Sequence, residues 1–135
     1  MIIDILRELC AEQQWAFLEH ESGTDLLVRF EGENGAWSCL LSAREEQQQA
    51  LVRSVLPSVG EAARGAVMIA ITRINAELIA GGFDLDLDSG ALSFRTSIDV
   101  EGDRLTPALA RQLVLVNLAT TDAYLPVLQE AAAAE

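Results

Sequence analysis

Lysine is absent from these 135 residues; all nine cations are arginine, and they are scattered rather than clustered. Against them stand 21 aspartates and glutamates, for a formal net charge of −12 and an isoelectric point near 4.3. Phosphate binding rests on clustered cations, so this balance argues against nucleic acid and anionic membranes as partners. Cys10 and Cys39 are too few for a disulfide framework, and with His20 as the single histidine they lack the spacing of a zinc site. The start Met1-Ile2-Ile3-Asp4 has no basic leader region, which makes a reducing cytoplasm the expectation. The most apolar stretch, Ala62 to Ile79, is interrupted by Arg64, Arg73, Asn75 and Glu77 and is too short to span a bilayer.

Half of the residues are hydrophobic, enough for one globular domain over 1–135. Ile2, Ile5, Leu6, Leu9 and Cys10 lie on one face of an N-terminal helix. Trp15 to His20 reads as a short strand. Leu26, Val28 and Phe30 alternate with polar residues, as do Trp37, Cys39 and Leu41. An Asn34-Gly35 turn between them sets Phe30 opposite Cys39 and Val28 opposite Leu41, all six on the core face. Ala50 to Leu56 reads as a strand ending before Pro57, although the polar run from Arg44 leaves a helix over Gln47–Leu56 open.

Ser58-Val59-Gly60-Glu61 has the form of a capping box and predicts the start of a central helix over Ala62–Ile79, apolar around most of its circumference and stopped by Gly81-Gly82. Phe83, Leu85 and Leu87, then Leu92, Phe94, Thr96, Ile98 and Val100, alternate with polar residues. With a Ser89-Gly90 turn this is a hairpin in which Leu85 faces Phe94 and Asp84 faces Arg95. Asp84, Asp86 and Asp88 resemble a calcium loop in spacing, but Ser89 and Arg95 stand where that loop needs glycine and glutamate. Thr106 as cap with Pro107 in the first turn starts a last helix, with Leu109, Leu113, Val116, Thr120 and Ala123 toward the core. Pro126 is expected to kink or break it near Tyr124, and Ala131–Glu135 to fray. The fold class is therefore α+β: an antiparallel sheet of five to six strands with N-terminal, central and C-terminal helices.

Arg73-Ile74-Asn75, Gly82-Phe83-Asp84-Leu85, Leu92 to Ser97, and Asp122-Ala123-Tyr124-Leu125-Pro126 together resemble the YbjN-like family, over roughly Trp15 to Leu128. The resemblance implies the fold of the type III secretion chaperones, frequent dimerisation, and a role in sensory regulation or peptide binding. It carries over no catalytic residue.

No constellation for chemistry emerges. His20, flanked by Glu19 and Glu21, has no nucleophile motif around it. No residues call for a cofactor or a metal. The expected function is a non-enzymatic peptide- or protein-binding module acting as a homodimer; the alternatives are a self-association domain with no separate ligand and, more distantly, an unrecognised hydrolase. Trp37, Asn75, Arg95 and Tyr124 are the candidate partner or dimer contacts.

Overall fold

The computed structural model describes residues 1–133, and residues 134 and 135 of the segment expected to fray lie outside them. The chain runs α1 (Ile2–Gln13), β1 (Phe17–Glu19), β2 (Asp25–Glu31), β3 (Ala36–Arg44), β4 (Gln49–Leu56), a single 3-10 turn (Glu61–Ala63), α2 (Arg64–Glu77), β5 (Gly82–Leu85), β6 (Leu92–Asp99) and α3 (Pro107–Ala132). The six strands form one antiparallel sheet in the order β1-β2-β3-β4-β6-β5. Gln49–Leu56 is thus a strand, as its apolar alternation indicated. All three helices bury apolar residues in the core that covers one face of the sheet.

A polar cluster crosses the centre of that core. Asn117 of α3, fully buried, donates from Nδ2 to the carbonyls of Val52 (3.0 Å) and Phe94 (3.1 Å), stitching the helix to β4 and β6. Its Oδ1 accepts from the Ser54 hydroxyl, which in turn accepts from Trp37 Nε1 at 2.9 Å. The Ser54 hydroxyl and Trp37 Nε1 are thereby satisfied in a place where an unpaired group costs about 1–3 kcal/mol, while the two carbonyls gain a second donor beside their ladder bonds.

Several expectations are corrected. Ser58 caps nothing: Val59 is buried and its amide bonds the Gly90 carbonyl (2.7 Å), pulling the chain away from a helical start, so α2 begins later, after the 3-10 turn. That helix ends at Glu77 because Leu78 turns extended, before the glycines. Gly81, at φ +77°, instead passes close to β6, where a Cβ would lie 2.7 Å from the Arg95 carbonyl. α2 is covered on one side only, with Met68 and Ile69 about half exposed.

Both hairpins are offset from the expected register by one residue in each strand. Phe30 faces Trp37 and Val28 faces Cys39, because Gly32 bonds the Gly35 carbonyl and the turn centres on Glu33-Asn34. Phe83 faces Phe94 and Asp84 faces Ser93, because the Asp86 carboxylate accepts the amides of Asp88 and Ser89 and widens the loop. An offset of this kind preserves the faces, so the core assignments survive except for Leu87, which the wider loop leaves exposed.

The buried face of α3 is Ala110, Leu113, Val114, Asn117, Leu118, Thr121, Leu125 and Leu128, rotated from the expected stripe; Leu109 and Val116 are partly exposed. Pro126 does not break the helix. The Asp122 carbonyl, deprived of an amide donor four residues on, accepts instead from Asn34 Nδ2 at 2.9 Å. The Asp122 carboxylate accepts the amides of Glu33 (3.1 Å) and Asn34 (2.9 Å), so the proline and the β2–β3 turn form one latch.

Candidate functional site

Among the described residues no element covers the face of the sheet opposite the helices. Alternation places Leu18, Leu27 and Leu40 on it, directly opposite one another across β1, β2 and β3, with Leu51 and Val55 beside them on β4. Leu18 is 72% exposed. The strands also place Arg29, Arg44, Arg53 and Arg95 on this face against Asp25, Glu31, Asp84 and Asp99. The strands thus bring four cations and four carboxylates to this face, which is neutral in a chain of −12. Asp84 Oδ2 is shared by Arg53 (3.3 Å) and Arg95 (3.5 Å), while Arg29 has no ion-pair partner among the described residues. The middle of the face offers leucines with uncompensated guanidinium charge. Its sequence signal was the set of adjacent apolar pairs that break alternation: Leu26-Leu27, Leu40-Leu41, Leu51-Val52 and Val55-Leu56.

The edges of the sheet differ from one another. In an antiparallel ladder both backbone groups of a residue point to one side, and the side alternates along the strand. Val100 donates to the Gln48 carbonyl (2.8 Å), which sets the phase: Ser93, Arg95, Ser97 and Asp99 turn away from β4. β5 covers Ser93 and Arg95 and then stops. On the far side of β5, Asn75 closes the edge like a short strand: its Nδ2 donates to the Phe83 carbonyl (3.0 Å) and its Oδ1 accepts the Phe83 amide (2.8 Å).

The four predicted contact residues do not converge. Trp37 is 2% exposed and lies in the core, out of reach of a partner. Asn75 is spent on the β5 edge, where its amide ties the end of α2 to Phe83. Arg95 is on the open sheet face. Tyr124 is half-buried on the helix side, edge-on to Phe83 at 6.1 Å.

His20 is exposed in a local turn, with Nδ1 2.9 Å from the Ser22 hydroxyl and also accepting the Ser22 amide at 3.1 Å. Its acceptor nitrogen is thus occupied by the turn itself, and among the described residues no carboxylate orients the ring. Burial pushes the Cys39 thiol up to about 12, which makes it inert. Among the described residues no group of three metal-ligating side chains converges, and no helix is long and apolar enough to cross a membrane.

This architecture is similar to the fold of the type III secretion chaperones. The ExsC–ExsE complex aligns at TM-score 0.60 with 13% identity, covering 94% of this chain and 92% of that one. The HopA1–SchA chaperone–effector complex aligns at 0.53 with 17% identity, covering 89% and 88%. The crystal structure of YbjN from E. coli, described as "a putative transcription regulator", aligns at 0.59 with 16% identity, covering 91% and 92%. Residues 3–130 match the YbjN family, "Putative bacterial sensory transduction regulator", and the chain belongs to that family. No curated protein matches it.

Proposed function

We propose that the protein is a non-enzymatic module, chaperone-like or regulatory, that binds a segment of another protein on the helix-free face of its sheet. The observation that carries this reading is that face: exposed leucines and arginines, neutral overall, in a chain whose charge is otherwise strongly negative. A contiguous apolar surface of this kind marks interaction sites. The likeness to ExsC and SchA, each solved with a protein partner, supports it. In this reading the chain is one cytoplasmic domain, Arg95 belongs to the contact surface, and Trp37 and Asn75 act from beneath by holding the sheet and its edge.

The module works as a homodimer, and the exposed Met68 and Ile69 of α2 are the surface that a second copy covers. Their neighbours one turn on, Thr72 and Arg73, are exposed and add no negative charge to the repulsion between two chains of −12. Capture from the source lysate with tagged wild type, Leu27→Glu and Met68→Glu tests both assignments. A specific partner lost with Leu27→Glu and kept with Met68→Glu supports the sheet face; equal capture by all three overturns it. Sedimentation gives the second answer, since a dimer that Met68→Glu leaves intact removes α2 from the interface. If wild type recovers only itself, self-association is the whole function.

A further inference from the structure

β6 outlasts its neighbour. Beyond Arg95, Ser97 and Asp99 direct their N–H and C=O groups to an edge where β5 has ended, and neither backbone finds a partner there among the described residues. Beside this edge lies a groove of about 210 Å³ lined by Ala80, Ile98, Leu109, Leu113 and Val116 among others, with no charged residue in its wall. Its rim is apolar and wet: Leu109 and Val116 are exposed by more than a third, and Ile79, just before Ala80, is fully exposed. Unpaired strand edges are normally blunted by charge, proline or a cover. The β5 edge has such a cover in Asn75; among the described residues this one has no cover, and its one charge is Asp99.

We propose that the open edge takes one extended segment of a partner protein by strand addition, antiparallel to β6 and in line with β5. The proposal rests on the protein-binding reading above and adds a second contact with its own chemistry. A residue opposite Ile98 shares its face, so its side chain enters the groove and must be aliphatic. Its two neighbours make the backbone bonds to Asp99 and Ser97 and turn their side chains to the opposite face. Antiparallel direction puts the N-terminal neighbour opposite Asp99. That carboxylate is kept below the usual range by the Glu101 amide and then by Gln49, so it stays charged and favours a cation. The C-terminal neighbour meets Ser97 and is small and uncharged. The segment recognised therefore reads cation, aliphatic, small. A second copy fits less well: β6 paired with β6 about Ile98 sets Ser97 opposite Asp99 with no cation, between two chains of −12.

The test is a titration of the ¹⁵N-labelled protein with a capped hexapeptide of threonine, threonine, arginine, isoleucine, serine and threonine. The Ser97 and Asp99 amides should shift, and their hydrogen exchange should slow by about tenfold, the factor for one added hydrogen bond of ordinary net strength. Aspartate in place of the isoleucine should abolish both effects. Ser97→Pro removes the outward donor without touching a bond to β4, and Val116→Glu charges the groove at an exposed position; each should lose the response while melting as a folded protein. Shifts confined to Leu27, Leu40 and Val55 would overturn the edge assignment and keep protein binding on the sheet face. No shift anywhere overturns the edge assignment, leaving the sheet face to its own capture assay. Edge shifts that grow with protein concentration without peptide would give the edge to a second copy and refute the proposal.

Discussion

Replacing Asn117 by alanine removes the residue that joins α3 to the middle of the sheet. The Val52 and Phe94 carbonyls keep their ladder bonds and lose only a second donor. The buried Ser54 hydroxyl loses its acceptor, with only the distant Cys39 sulfur (3.8 Å) as replacement. That orphaned group costs about 1–3 kcal/mol, and the cavity left by the truncated side chain adds to it at roughly 24 cal/mol per Å³. The total is about 3 kcal/mol, or a fall in melting temperature on the order of 10 °C for a chain of this size. Urea denaturation followed by circular dichroism measures the loss. Ser54→Ala should also destabilise, since it orphans Trp37 Nε1 and Asn117 Oδ1, but the double variant should cost less than the sum, with a coupling of about 0.5–3 kcal/mol. A loss below about 1 kcal/mol for Asn117→Ala, or strict additivity, would refute the account of this cluster as one satisfied network.

Thr121 Oγ1 is buried with no partner among the described residues, so Thr121→Val should raise stability by about 1 kcal/mol, and a lower melting temperature would contradict that. Asp122→Ala frees the amides of Glu33 and Asn34; hydrogen exchange in the β2–β3 turn should accelerate with a stability loss of about 1–2 kcal/mol, whereas unchanged exchange would disprove the latch. Burial raises Cys39 from 9.0 to about 12, so its contribution to stability is full below pH 9 and declines as the pH rises toward 12; Cys39→Ala should flatten that limb of the stability profile. The same burial predicts that thiol reagents label Cys39 at pH 8 only after unfolding, and rapid labelling of the native protein would contradict it.

What the sequence by itself determined is whatever repeats with a period. Alternation located the strands and their core faces, the Thr106-Pro107 signal located the start of α3 where Thr106 Oγ1 does accept the Leu109 amide, and Ile2 to Cys10 located α1. Turn chemistry misled by one residue in each hairpin strand, because Asp122 and Asp86 supply hydrogen bonds that no dipeptide propensity contains. The α3 stripe was misplaced for a related reason: Asn117 looks like a solvent residue in the chain, and its burial depends on Ser54, 63 positions earlier; Thr121, one turn on, is buried with it. Pro126 read as a breaker until Asn34 was there to take the freed carbonyl. The candidate site was the least readable part. Whether Leu27 and Leu40 are covered, whether Asn75 closes an edge and whether β5 stops short of β6 depend on which elements lie beside them. Pattern reports what each segment needs; only tertiary contact decides which needs are met within the chain and which are left for a partner.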